Sequence, residues 1–245
     1  MAQAVNRISG LTVRGFKSLA FEQHVEIRPL TILAGANSSG KSSIMQPLLL
    51  LKQTLEAPVD PGALLLDGEH VKFTEADQLL CGCHGAAPSQ TFSVGMTLQS
   101  HDSLSLAFRR VPSRGFDVTE LVSELRGDRV KITPDMTHDA ILKVLPKPWK
   151  NFDRNFKKDT KRRFRWTASR DRCFLAFDLR SDDDSGKKVQ FGPRGISPSV
   201  AFESYILGIL HLPGLRGNPR RTYAKTAVTS RFPGTFEPYT ASVIA

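Results

Sequence analysis

Directly after the apolar run Leu30-Thr31-Ile32-Leu33-Ala34 the chain reads Gly35-Ala36-Asn37-Ser38-Ser39-Gly40-Lys41-Ser42, an instance of the pattern GxxxxGK[ST]. The pattern constrains the fold because it needs a particular setting, with an extended segment leading in and a helix leading out. Both are legible. Val25-Glu26-Ile27 and Leu30 to Ala34 read as extended apolar segments, and Ile44, Leu48, Leu51 and Leu55 recur at helical spacing. Two glycines let the backbone curl until several N–H groups face one point, and the helix that follows adds its positive end. In such a loop Lys41 neutralises the β and γ phosphates of a nucleoside triphosphate, and the Ser42 hydroxyl sits on Mg²⁺, an ion that prefers oxygen ligands. The candidate binding residues are Gly35, Ala36, Asn37, Ser38, Ser39, Gly40, Lys41, Ser42 and Ser43, with ATP and Mg²⁺ as the expected ligands. The bland alternative is a surface Gly/Ser loop capping an ordinary helix. Pro47 falls inside that helix, where it should remove one hydrogen bond and bend the axis.

With 245 residues the chain is long enough for a substantial core. Its longest apolar clusters, Pro47 to Leu51 and Tyr205 to Leu212, fall far short of the roughly twenty residues that span a bilayer. No secretory signal is evident, and a cytoplasmic location without membrane contact is expected. Three cysteines fit a reducing compartment better than a disulfide framework. Cys81-Gly82-Cys83-His84 is the one cluster suggestive of a metal, but it supplies three donors at most, and a turn of small residues is the simpler reading.

The net charge of +10 is concentrated: residues 143–172 hold twelve Lys or Arg against three Asp, a net +9. Trp149, Phe152, Phe156, Phe164 and Trp166 are interleaved with these cations. Cations and aromatics together suit phosphate contacts and base stacking, which makes Lys157, Lys158, Lys161, Arg162, Arg163 and Arg165 candidates for contact with DNA or RNA. A basic helix with its aromatics packed inward accounts for the same residues equally well.

Along the chain, Ile8 to Val13 and Phe21 to Ile27 read as strands, and the first helix should stop near Ala57-Pro58. Ala63 to Leu66 and His70 to Phe73 flank Asp67-Gly68, a strong hairpin signal. That hairpin accounts for Leu64-Leu65-Leu66-Asp67, which otherwise imitates the apolar strand ending in a Mg²⁺-orienting acid. Cys173 to Asp178 is a second such run, read as a plain strand. Phe92, Val94, Met96 and Leu98 alternate on one face, followed by Leu104, Leu106 and Phe108. Asp182 to Gly186 reads as a solvated turn, Val200 to Leu212 as an apolar helix, and the stretch beyond Gly214 as irregular. The expected division is 1–85 as a nucleotide-binding lobe, 86–195 as a β-rich basic insertion and 196–245 as a helix with a Pro/Arg-rich tail.

The strand ending in Gly15-Phe16-Lys17-Ser18-Leu19, the second strand, the glycine-rich loop and its leucine-rich helix resemble the N-terminal lobe of ABC-type AAA ATPases, in the group of SMC, RecF and OLD-like proteins. Leu212 to Arg221 resembles a proline-arginine motif found midway through such proteins. The resemblance implies an α/β P-loop NTPase lobe with a mixed sheet, and a head that dimerises around ATP in DNA repair or anti-phage defence. It places Arg14, Phe16 and Lys17 near the nucleotide base, and leaves Arg216, Arg220 and Arg221 without a derivable role. The signature motif, the Asp-Glu strand and the switch histidine of the family's C-terminal lobe are not found. The expectation is therefore an N-terminal half, with ATP hydrolysis completed by a second lobe, a partner chain or a homodimer. The alternative is a non-hydrolysing nucleic-acid-binding subunit with nucleotide as a structural ligand. A GTPase is disfavoured because no NKxD motif is present, and a small-molecule kinase would need a lid that one sequence does not reveal.

Overall fold

Alternating apolar residues fold the first strand, β1 (Ile8–Arg14), so that Leu11 and Val13 point into the core, and β2 (Gln23–Glu26) pairs antiparallel along its outer edge. The structure, a computed structural model, describes residues 6–37, 39–82, 89–147, 149–151, 164–181, 188–189 and 196–212. On the other side of β1 lies β3 (Thr91–Leu98), followed by β4 (Ser103–Val111), β5 (Gly115–Leu125) and β6 (Asp128–Ile132), in the order β2-β1-β3-β4-β5-β6. Strands from either side of residue 85 thus share one sheet. Every described strand pair is antiparallel. The architecture is α/β, but the mixed sheet expected from the sequence is replaced, among the described residues, by antiparallel pairing throughout.

Period-two burial is followed closely in β3 and β4, where Phe92, Val94, Met96, Leu98, Leu104, Leu106 and Phe108 are all buried. In β5 the phase changes. Phe108 pairs with Val118 while Ala107 pairs with Glu120, so Thr119 is the extra residue of a bulge, and its hydroxyl donates to the Ala107 carbonyl. The bulge lets Phe116 and Val118 before it, and Leu121 after it, all face inward.

Helix α1 (Lys41–Glu56) runs unbroken through Pro47, which is itself buried. The sequence suggests a single apolar stripe, yet burial is nearly complete from Pro47 to Leu55, including Lys52, Gln53 and Thr54. The sheet covers part of the helix, and segments distant in sequence cover the rest. These are the 63–73 turn, helix α3 (Val200–Leu207), and a second sheet made of β7 (Phe164–Asp171), β8 (Phe174–Ser181) and β9 (Lys188–Val189). Helix α2 (His138–Val144), capped by the Thr137 hydroxyl, holds β7 in place through His138 Nδ1, which accepts the Trp166 N–H at 2.9 Å. The expected helix from Val200 to Leu212 stops at Leu207; Gly208 ends it, and Leu210 and Leu212 are exposed.

Two arginines of the basic segment tie this second sheet to the end of α1 and the loop that follows it. Arg172 Nη1 donates to the carbonyls of Thr54, Leu55 and Ala57 at 2.7–3.1 Å, supplying partners to a helix end that has no basic residue of its own. Arg170 forks onto both oxygens of Asp60 at 2.7 and 2.9 Å, and the guanidinium holds that carboxyl below its usual range. Arg172→Ala is expected to cost about 1–3 kcal/mol of stability, because charge-assisted bonds to three carbonyls are lost. Urea denaturation of wild type and variant gives the number, and a change within a few tenths would show that water replaces the guanidinium without loss.

Candidate functional site

The turn Gly15 to Leu19 forms the floor of the glycine-rich loop. Gly15 adopts φ 72° and lies so close to β3 that an added Cβ would meet the Thr91 carbonyl oxygen at 2.6 Å. Its N–H donates to the Leu19 carbonyl at 2.7 Å, its carbonyl accepts from Cys81, and the Lys17 N–H donates to Leu79. The turn is thereby knotted to the 79–81 segment. Phe16 lies at 0 % exposure, edge-on to Phe73 and Phe92.

Gly40 rests on this floor at φ 92°, where an added Cβ would come within 2.9 Å of Leu19 Cδ2 and 3.0 Å of Ser18 Oγ. It is also the N-cap of α1, and no side chain caps the helix there. The first turn carries no acidic residue either. Among the described residues no side chain accepts from the leading N–H groups of α1, and no carboxylate in its first turn opposes the positive end of the helix. Lys41 folds back over the loop, its ammonium donating to the Gly35 and Ala36 carbonyls at 2.7 and 2.6 Å, and it pairs with no carboxylate among the described residues. At Gly35 a Cβ would meet Ser39 Oγ at 2.7 Å, a contact that rotation of the serine relieves, so what disfavours a side chain at both glycines of the pattern is their positive φ, 155° and 92°. Ala36, Asn37, Ser39 and Ser42 are exposed, Ser43 is buried, and Ser38 lies outside the described residues.

The apolar run before the loop is not a sheet strand. Leu30 to Ala34 pair with no described strand, and Leu30, Ile32 and Leu33 are 78 %, 79 % and 40 % exposed. This corrects the expectation of a paired strand feeding the loop. The chain matches no protein-family model and no curated protein. The reading of the site therefore stands on its geometry.

Of the residues that the family resemblance places near the base, Phe16 is a core side chain with no free face, which removes it as a stacking partner. Arg14 is exposed. Lys17, at φ 51°, sets its ammonium 4.6 Å from the centre of the Phe73 ring, and burial lowers its pKa. The hairpin around Asp67-Gly68 is also displaced. Asp67 bridges Lys72 and the Gly68 N–H donates to Val71, so the reversal is centred on Glu69-His70, and only a single bridge forms where two strands were expected. Gly68 serves packing here, because the Gln53 amide group lies 2.7 Å from where its Cβ would be. Asp67 is exposed, and Asp178 accepts from Ser169 Oγ on the second sheet.

Residues 157–163, with Lys157, Lys158, Lys161, Arg162 and Arg163, lie outside the described residues, as do Phe152, Phe156, Arg216, Arg220 and Arg221. Arg165 is exposed on β7. Phe164 and Trp166 are buried in the core, so neither offers a face for a nucleic-acid base, and Trp149 packs against the same core. Cys83 and His84 are outside the described residues, and Cys81 is buried. Among the described residues no three His, Cys, Asp or Glu side chains converge on a metal position. No described helix is long and apolar enough to cross a membrane.

A feature the sequence did not announce is the buried polar cluster on α1. Lys52 Nζ donates to Glu56 Oε1 and to the Leu207 carbonyl, both at 2.7 Å, and Glu56 Oε2 lies 2.8 Å from His70 Nε2. Gln53 bonds the Leu65 carbonyl and the N–H groups of His70 and Val71. The i,i+4 spacing of Lys52 and Glu56 was the only available signal, and it reads in a sequence as an exposed pair.

Proposed function

We propose that this chain binds a Mg²⁺-nucleoside triphosphate, with ATP as the first candidate, at the loop Gly35 to Ser42. The supporting observation is the uncapped start of α1, with Gly40 in the left-handed conformation and the Lys41 ammonium folded across the loop onto carbonyls that a triphosphate would displace. In this reading the loop N–H groups bind phosphate oxygens, Lys41 moves from its carbonyls onto the β and γ phosphates, and Ser42 orients the metal. Catalysis of hydrolysis, by positioning a water against the γ-phosphate, requires a carboxylate; the first turn of α1 carries none, and Lys41 pairs with none among the described residues. The exposed run Leu30 to Leu33 suits pairing with a further strand, so hydrolysis is assigned to the assembly with a second lobe, a partner chain or a second copy. The chain is accordingly proposed as the nucleotide-binding part of an SMC/RecF/OLD-like ATPase head.

Equilibrium titration of a fluorescent ATP analogue with Mg²⁺ tests the reading. Lys41→Ala is expected to weaken binding roughly 100-fold, the size of a lost charge-assisted contact set. Phosphate release measured in the same samples is expected to be absent from the isolated chain. Wild-type protein that fails to bind the analogue would sink the proposal.

A further inference from the structure

The larger sheet ends in β2, whose outer side pairs with no described strand. Register fixes which backbone groups face outward. The Ile27 N–H donates to the Ser9 carbonyl, and Gly10 lies opposite Glu26 and Leu11 opposite Val25, so the odd-numbered residues of β2 bond to β1. The N–H and C=O groups of His24 and Glu26 therefore point away from β1. The next outward N–H, that of Arg28, is closed off by the Thr31 hydroxyl at 2.9 Å. Apart from its shortness the edge has few guards against pairing. Its register with β1 is free of bulges, no proline interrupts it, and Gln23, Val25 and Ile27, on the same side of the sheet as buried Leu11 and Val13, carry no charge.

The side chains on the opposite side of the sheet select the partner. Glu22, His24, Glu26 and Arg28 follow one another there, all exposed, with Arg28 forked onto Glu26 at 3.0 and 3.1 Å. An antiparallel copy must set outward groups against outward groups, so even-numbered residues face even-numbered residues and few registers are open. Centred on His24, such pairing would set Glu22 against Glu26. Centred on Glu26, it would set that carboxylate against its own copy and His24 against Arg28. Centred on Val25, every rung is complementary: His24 faces Glu26, Glu22 faces Arg28, and on the core side Val25 meets Val25 and Gln23 meets Ile27. The same register carries Phe21, 80 % exposed, to Pro29 and the exposed run that begins at Leu30.

We propose that a second copy of this chain pairs with β2, antiparallel and centred on Val25, joining two six-stranded sheets across a twofold axis. His24 of each copy exchanges backbone hydrogen bonds with Glu26 of the other, and the charged rungs fix the register. Because the same patch is used by both copies, the contact closes at a dimer. It uses no atom of the phosphate loop and holds whether or not nucleotide binds there.

Sedimentation velocity of the full chain without nucleotide, at low salt and from about 1 to 100 µM, tests the pairing. The wild type is expected to pass from monomer to dimer across this range. Glu22→Arg sets arginine against arginine at both outer rungs, and Arg28→Glu sets glutamate against glutamate, so each variant alone is expected to dimerise at least ~10-fold more weakly. An equimolar mixture of the two restores opposite charges at both rungs and is expected to dimerise like the wild type, a result that misfolding of either variant cannot imitate. Glu26→Pro removes an outward N–H and leaves the bonds to β1 in place, so it should abolish the dimer with an unchanged far-UV circular dichroism spectrum. A wild type that stays monomeric at the highest concentration overturns self-pairing and leaves the edge to a strand of another protein. Single variants that dimerise as the wild type does, or a mixture that stays monomeric, overturn it as well.

Discussion

Replacing Phe16 by alanine is expected to destabilise the protein by about 3–5 kcal/mol, the range for an aromatic ring removed from a close-packed core. Phe16 has 0 % exposure and joins two groups of rings, Phe73 on one side and Phe92 on the other, with Phe92 in turn stacked 5.1 Å from Phe108 and edge-on to Phe116 at 5.3 Å. Chemical denaturation reads the loss. The local consequence is as specific, because Phe16 anchors the turn on which Gly40 rests. Amide exchange at Gly15, Leu19 and Cys81, whose bonds close the turn, should accelerate more than exchange at the β3–β4 pair. A loss below about 1 kcal/mol would mean that the neighbouring rings collapse into the gap and that Phe16 is not the anchor.

The second large effect is expected at Gln53. Its amide, on a residue 3 % exposed, donates to the Leu65 carbonyl and accepts from the N–H groups of His70 and Val71. Gln53→Leu preserves approximate volume but strands three backbone groups, with a cost of about 1–3 kcal/mol for each that water does not reach. A total loss of about 3–5 kcal/mol is expected, together with release of the 65–71 turn from α1. Limited proteolysis locates the damage: new cleavage should fall between Leu65 and Lys72. Gln53→Glu keeps two acceptor oxygens for His70 and Val71 but faces the Leu65 carbonyl with no donor, so it should fall between wild type and Gln53→Leu. An ordering with Gln53→Glu least stable would show that the buried charge outweighs the retained bonds.

The strands β1, β3 and β4 and the span of α1 were legible because each carries its own period: alternation over Phe92 to Leu98, and a helical repeat from Ile44 to Leu55 that stops at Ala57-Pro58. The bulged strand β5 was not singled out, since Thr119 breaks the alternation that would mark it. The Asp67-Gly68 signal located a reversal but not its centre, because Gly68 is required by Gln53, fifteen residues earlier in the chain, and not by turn geometry. The basic segment reads equally as a surface for nucleic acid and as a basic helix with its aromatics packed inward. Two of its arginines outside the candidate contacts serve the fold, Arg170 on Asp60 and Arg172 on the end of α1. Local charge density cannot distinguish a cation facing water from one facing a helix terminus.

At the glycine-rich loop the sequence by itself determined the elements of the site: two glycines that take up positive φ, a lysine after the second, and a helix beginning there. Those properties depend on residues within a few positions of one another, so a short pattern contains them. Tertiary structure alone decided that Phe16 is core, that Leu30 to Leu33 stand exposed, and that His70, Gln46 and His211 meet around one cavity. Each of those outcomes depends on what covers a side chain from elsewhere in the chain. Such cover is set by how the 63–73 turn, the second sheet and the segment after α3 pack around α1, and no local period records it.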